Sequence, residues 1–406
     1  MNKKILHLNF SDNGGAAIAV KRINECLLKN NIDSKILVAE KSTQNPKIIC
    51  EQSRINSFFW EQKKKISRNL KFFFKTQNKN THTISFLKSN ILSQIDKYNP
   101  DYLNIHWIGN ELISIEQIKK IKIPILWTLH DMWLYCGAEH YTYENNRFIN
   151  GYLTNNRPQS ESGFDLNKWV WKRKKKNLPG QIRIIATSNW QYNNAKKSDL
   201  LKDKKIYKLP LPIDTNFWKP IKKKEAKQKL GWDINKIHFL FGFSDYGKKY
   251  IKGLDTAIEI FNNYKNKNNK NVVLNIFGEP EKKKFNDQNI NILGPINNAE
   301  KLRLIYSASD LLLNPSRLES FGQIALESLS CGLPVMCRDG TGTTDLISSS
   351  NMGYIIKEPV VENFEDFNNW FNKILISHKQ NDLYKSIKER FSYDLIADQY
   401  SKILNN

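Results

Sequence analysis

Short apolar runs of strand length alternate along this chain with stretches of helical spacing, and that alternation limits the fold more than any other feature. "KKILHLNF" reads as a buried strand, "SDNGGAAIAVKRINECLLKNN" as a glycine turn leading into a helix, and "DSKILVAE" as a second strand. A strand–helix–strand unit makes its strands parallel, because the crossover must return the chain to the same end of the sheet. "YLNIHW", "IPILWTLHD" and "IRIIATS" extend the pattern, and the first two carry a histidine near their polar ends. "YKLPLPIDTNFWKP" then breaks the rhythm with several prolines, as a connector does. The alternation restarts with the strands "IHFLFGF", "VVLNIFG", "NINILG", "DLLLNPS", "LPVMCRD" and "GYIIK", separated by helical runs such as "KGLDTAIEIFNNY" and "NAEKLRLIYSAS". The tail "DLYKSIKERFSYDLIADQYSKILNN" has apolar residues at three- and four-residue spacing and reads as helix.

Two rounds of alternation in 406 residues predict two α/β domains, each a doubly wound parallel sheet of Rossmann-like type, facing a cleft. The expected boundaries are 1–207 and 208–384, with 385–406 as a terminal helix. Hydrophobic residues at 40% supply enough apolar material for real cores, which excludes overall disorder. The five cysteines (Cys26, Cys50, Cys136, Cys331, Cys337) have no CxxC spacing, so reduced thiols in a cytoplasmic setting are expected. The start breaks after a short apolar run and does not read as a signal peptide, and no apolar run is long enough to cross a bilayer.

The formal net charge of +23 implies an anionic partner. Two stretches interleave aromatic residues with cations: Phe58–Asn80, and Asn167–Gly180 with Trp169, Trp171 and Lys172–Lys176. Basic aromatic helices suit an anionic membrane surface, while aromatics belonging to the core would make them ordinary solvated helices.

Ligands of doubly wound sheets sit beyond the carboxyl ends of strands, where loops and helix N-termini converge. Four such places carry candidate residues. Gly14 and Gly15, in "SDNGGAA", would let backbone approach an anion or hydroxyl, or could simply form a tight turn. There is no GxGxxG, so a dinucleotide site is not expected. His130, with Asp131, ends a buried strand in "TLHDMW" and could bond a sugar hydroxyl or position a reacting group; His106 and His140 are weaker candidates. Lys248, Lys249 and Lys252 follow "IHFLFGF" and could neutralise a departing diphosphate.

The fourth place is "LNPSRLESFGQIALESLSCGLPV". Pro315 and Ser316 end a strand, a helix is expected to begin near Ser320–Gly322, and Glu319 and Glu327 bracket an apolar run. The helical part of that interval would span roughly 8–12 Å. A diphosphate separates a sugar from a ribose by a comparable length, so one carboxylate could hold each, with the helix N-terminus taking the phosphates. No DxD pair or His/Asp cluster has metal spacing, so no metal cofactor is expected.

The Glu-x7-Glu arrangement, followed by "SLSCGLPV", resembles the signature of glycosyltransferase family 4, and "HLNFSDNGGAAIAVKRI", "TLHDMWLYCGAEHY", "ATSNW", "LPIDTNFW" and "IKGLDTAI" fall in that family's order. Within the family the chain resembles the subgroup with the HDMW motif. The resemblance implies a GT-B fold, with an acceptor-binding first domain, a nucleotide-sugar-binding second domain, and a terminal helix returning to the first. It implies retaining, metal-independent transfer of a hexose from a nucleotide-diphosphate sugar to a glycan or lipid-linked acceptor of surface polysaccharide, capsule or lipopolysaccharide.

By the same resemblance, Glu319 and His130 serve the reacting sugar. Phe321 and Gly322 bring backbone to the sugar and phosphate, and Glu327 holds the ribose. Lys252, with Lys249 and Gly15, meets the diphosphate, and Gly14 shares the phosphate loop. The chain departs from the pattern in two places. "FGFSDYG" lacks the arginine that many relatives carry there, leaving Lys248 or Lys249 to substitute, and only Cys136 follows "HDMW" where relatives often have several cysteines. The expected location is cytoplasmic, peripheral on the inner face of the membrane. The alternatives are a GT-B-fold phosphorylase or sugar-nucleotide epimerase and, from another class, a nucleic-acid-binding protein, for which no binding module is recognisable.

Overall fold

A computed structural model describes residues 3–50, 54–142, 145–243, 249–268, 271–278 and 287–405. The expected strands form two separate parallel sheets. The first contains β1 (Lys4–Ser11), β2 (Asp33–Glu40), β3 (Ile48–Ile49), β5 (Tyr102–Ile105), β6 (Ile125–Leu129), β8 (Arg183–Ala186) and β9 (Lys205–Lys208). Its order is β3-β2-β1-β5-β6-β8-β9. The short strands β4 (Phe74–Lys75) and β7 (Ser162–Gly163) pair antiparallel apart from it. The order reverses direction beside β1, the switch point at which such sheets place their sites.

β1 is buried along nearly its whole length, as a central parallel strand covered on both faces must be. Its register sets His7 opposite Ile36 of β2 and Asn104 of β5. His106 lies just past β5 and His130 just past β6, at the carboxyl ends of those strands. The core of this unit runs from Leu6 and Leu8 through Ile105, Trp127 and Leu129 to Ile184.

The second sheet contains β10 (Ile237–Phe243), β11 (Val272–Gly278), β12 (Ile290–Gly294), β13 (Leu311–Asn314), β14 (Val335–Arg338) and β15 (Gly353–Ile356), in the order β12-β11-β10-β13-β14-β15. Phe239, Phe241, Phe261, Phe367 and Phe371 fill its core.

The chain divides into a unit of residues 1–211 with 396–406 and a unit of residues 212–395. The division falls after Leu211 rather than Tyr207 because Tyr207 and Lys208 belong to β9. Residue 385 lies inside the helix Gln380–Phe391 of the second unit, and only the later part of the helix Tyr393–Asn405 joins the first. There the Tyr400 hydroxyl lies 2.7 Å from Asn104 Nδ2, and Lys3 Nζ donates to the Leu404 carbonyl at 2.8 Å.

The two basic aromatic stretches fold differently. In the helix Leu166–Asn177, Trp171 is buried and Trp169 packs on the core. Lys174 is fully buried, donating to the carbonyls of Trp133 and Gly137, and Arg173 pairs with Glu116 at 2.7 Å. Burial drives the Lys174 ammonium down to about 7. The aromatic face of this helix is therefore core, which removes the segment from the membrane reading. The helix Arg54–Lys71 instead leaves Phe58, Ile66 and Leu70 exposed, and it is followed by Phe72 and Phe73 at 83% and 67% exposure. Among the described residues, no helix is long and apolar enough to cross a membrane.

Candidate active site

In the second unit, three loops at the carboxyl ends of strands gather the predicted residues. The loop after β13 runs from Pro315 to Gly322, and the helix Gln323–Ser330 follows it. Gly322 is its N-cap at φ 96, and a side chain there would stand 2.6 Å from Thr343 Oγ1 in the loop after β14. Close approach and left-handed backbone together require glycine. The Gly342 N–H donates to the Glu319 carbonyl at 2.7 Å, tying the same two loops again.

On the other side, Gly253 (φ 73) follows the short helix Lys249–Lys252, and a Cβ there would meet the Pro315 carbonyl oxygen at 2.3 Å. The Arg317 N–H donates to the Ile251 carbonyl at 2.7 Å. The β13 loop is thus held from both sides.

This clamping brings two predicted residues together: Lys252 Nζ lies 2.6 Å from Glu319 Oε2, each side chain about a fifth to a quarter exposed. Sequence spacing placed them on separate motifs and did not pair them. The Phe321 side chain is buried and packs edge-on against Phe391, with ring centroids 6.2 Å apart. The helix begins at Gln323, so Glu327 lies about one turn in.

Glu327 is 6% exposed and accepts from the Tyr306 hydroxyl at 2.7 Å. Tyr306 was not singled out from the sequence, where one tyrosine in an amphipathic helix carries no signal. Among the described residues Thr343 Oγ1 has no hydrogen-bond partner, although it is buried beside the helix N-terminus. Lys248 and the segment that could have held an arginine lie outside the described residues, and for Lys249 only the backbone is described.

In the first unit, Gly14 (φ 90) is the N-cap of the helix Gly15–Lys29, and both glycines are exposed. Nothing lies within 4 Å of a Cβ built on Gly14, so its backbone angle alone calls for glycine. Asp12 braces this turn by accepting from the backbone and hydroxyls of Ser42 and Thr43 at 2.6–2.9 Å. Partial burial opposes its ionisation, but those four donors hold the carboxyl down to about 2.

His130 and His106 line one small pocket with Trp107, Asp131, Trp133 and His140. His140 Nδ1 stands 2.6 Å from Asp131 Oδ2, and the Trp133 N–H donates to Asp131 Oδ1 at 2.9 Å. Burial pushes the Asp131 carboxyl up, but these partners outweigh it and keep it below the usual range. His130 keeps an exposed edge, while its Nε2 lies 2.9 Å from His106 Nδ1. The far side of His106 reaches His7, in the same way, at 2.9 Å. Burial lowers His7 to about 3 and His130 to about 4, and holds His106 well below its ordinary value. All three rings are neutral at physiological pH. His7 was missed in the sequence, although one histidine inside the apolar run "KILHLNF" is the kind of buried polar group that demands a partner.

Residues 223–390, most of the second unit, match the family model described as "Glycosyl transferases group 1". The two parallel-sheet Rossmann-like units are those of the GT-B fold. An "Uncharacterized 41.2 kDa protein in cps region" of Klebsiella pneumoniae is 25% identical over 90% of this chain and 87% of its own. "Lipopolysaccharide glucosyltransferase WaaG" of Escherichia coli K12 is 30% identical over 29% of this chain and 32% of its own. The solved structure of Anabaena HepE in complex with UDP and glucose matches with a TM-score of 0.62, at 13% identity, over 99% of both chains.

Proposed function

We propose that the chain is a retaining, metal-independent hexosyltransferase that takes its sugar from a nucleotide-diphosphate donor and passes it to a glycan or lipid-linked acceptor of a surface polysaccharide. The observation that carries the donor site is the Lys252–Glu319 pair, held at 2.6 Å beside a helix N-terminus by two loops that meet it at glycines. A paired ammonium and carboxylate offer one group for phosphate and one for sugar hydroxyls. On donor binding Lys252 takes the diphosphate, which gains charge as it leaves, and Glu319 holds the sugar. The backbone of Phe321 and Gly322 lies against sugar and phosphate, and Glu327, oriented by Tyr306, anchors the ribose. Gly14 and Gly15 offer a second glycine turn to the phosphates, and His130 bonds the transferred sugar. The departing diphosphate accepts the acceptor's proton as the new bond forms on the same face.

Acidic lipid is the proposed surface for the first unit. Lys65 and Arg68 are exposed on the helix that exposes Phe58, Ile66 and Leu70, ahead of Phe72 and Phe73. Each cation close to an anionic leaflet contributes about 1 kcal/mol. The enzyme would then work at the cytoplasmic face, where nucleotide sugars are made.

A thermal-shift screen of nucleotide sugars, followed by transfer assays with the donor found, tests the reading. Glu319→Ala is expected to lower transfer about tenfold or more, the worth of roughly 1.5–3 kcal/mol for a charged hydrogen bond. Chelator should leave the rate unchanged, and the product linkage should keep the donor's anomeric configuration. Near-normal turnover by Glu319→Ala would remove Glu319 from the site.

A further inference from the structure

Five side chains cross the first sheet in one hydrogen-bonded line. Ser34 Oγ donates to Asn24 Oδ1 at 2.8 Å, and the same oxygen lies 3.1 Å from His7 Nε2. His7 Nδ1 then lies 2.9 Å from His106 Nε2, and His106 Nδ1 lies 2.9 Å from His130 Nε2. Ser34 stands on β2, His7 on β1, His106 at the end of β5 and His130 at the end of β6, which are consecutive neighbours in the sheet. Asn24, Ser34, His7 and His106 are buried, and of the five His130 alone is partly exposed, at the pocket that His106 also lines.

Such a line has a direction. A neutral imidazole has one N–H and one lone pair, so a ring bonded through both nitrogens must donate on one side and accept on the other. With the Ser34 hydroxyl hydrogen committed to Asn24, Ser34 Oγ accepts from His7 Nε2–H. His7 Nδ1 therefore accepts from His106 Nε2–H, and His106 Nδ1 accepts from His130 Nε2–H. The adjacent carboxylate does not compete, since Asp131 is engaged by His140 and the Trp133 N–H.

We propose that Ser34, His7 and His106 are positioning residues that hold His130 in one tautomer, with its proton on Nε2 and its Nδ1 lone pair left for a ligand. Among the described residues nothing bonds to that Nδ1. His130 is thereby an acceptor, selecting a hydroxyl of the bound sugar over a carbonyl or phosphate oxygen. The sugar as the partner of Nδ1 rests on the transferase reading above; the tautomer does not. A line started by the Asn24 amide as donor would run the other way and put the proton on Nδ1, turning His130 into a donor.

Full-length protein with 15N-labelled histidine, at pH 7.5 and without ligand, separates these outcomes. Long-range 15N–1H correlations distinguish the two tautomers, and His130→Gln identifies the His130 signals. The expected result is a single Nε2–H pattern for His130. Asn24→Asp, whose carboxylate can only accept, should preserve it; Ser34→Ala should replace it with an averaged pattern; and Ser34→Thr should restore it. An Nδ1–H pattern in the unsubstituted protein, inversion by Asn24→Asp, or an unchanged single pattern in Ser34→Ala overturns the proposal. The spectrum is independent of turnover, so a failed donor screen would leave this result standing, and the reverse holds too.

Discussion

Acid should loosen the first unit through its buried histidines, by an amount that can be worked out. His7 and His106 are held neutral by burial, His7 at about 3 and His106 well below its ordinary value. The unfolded chain takes up a proton on each near pH 6.5. Their folded-state values are lowered, so the stability they contribute is complete above pH 6.5 and is lost as the pH falls from there toward about 3. At pH 5 the unfolded chain has gained about 1.5 pH units of proton binding at His7, or about 2 kcal/mol, and His106 adds to this in the same direction. That is a large part of a typical domain stability of about 5–15 kcal/mol. His130 is left out of the sum because it keeps an exposed edge.

Buried carboxylates with raised values, Glu139 and Glu161 among them, work the other way. Glu161, raised to about 7 by burial and then by Glu139, gains stability as the pH falls toward the ordinary carboxylate range. The total curve therefore does not isolate the histidines, and the comparison must be with a variant. Urea unfolding followed by tryptophan fluorescence at pH 7.5 and 5.0 should show that His7→Gln/His106→Gln loses at least about 2 kcal/mol less on acidification than the unsubstituted chain. Should the double variant not fold at pH 7.5, His7→Gln alone should show a difference of about 2 kcal/mol. Equal acid sensitivity in variant and parent, within about 1 kcal/mol, would refute the assignment of these rings as buried and neutral.

Three further outcomes are expected. Gly322→Ala should destabilise the second unit by at least about 1 kcal/mol, from left-handed backbone strain before any clash with Thr343, and should weaken donor binding in a thermal-shift titration. Tyr306→Phe removes a donor from the nearly buried Glu327 and should cost about 1–3 kcal/mol by chemical denaturation, with a raised KM for the nucleotide sugar. Phe72→Ser/Phe73→Ser should reduce binding to vesicles containing acidic phospholipid without changing stability. Neutralising Lys172 and Lys176, on the helix whose aromatic face is core, should change that binding less.

Much of the candidate site was legible because its residues lie in local patterns. Glycine at a strand-to-helix turn and polar residues that end an apolar strand are readable within a few positions, and so Gly14, Gly322, His130, Glu319 and Glu327 stand out in the sequence. Helix starts were less legible: Gly322 takes a left-handed N-cap conformation, and its contact with the β14 loop delays the helix to Gln323. The helix Leu166–Asn177 misled for a related reason. Its interleaved cations and aromatics look alike in composition to those of Phe58–Asn80, but Lys174 finds backbone carbonyls to satisfy it in the interior while Phe72, in contact with Phe73, stays exposed.

Sequence alone determined that this chain forms two parallel α/β sheets with its candidate site residues at their strand ends, because strand and helix periodicities and turn residues act over a few neighbouring positions. Partnership was decided only by the tertiary structure. Lys252 meets Glu319 across 67 positions, and His7 meets His106 across 99, because strand order and loop packing bring them together. A hydrogen bond requires atoms within about 3 Å, and no local pattern in the chain encodes which distant strand will be the neighbour.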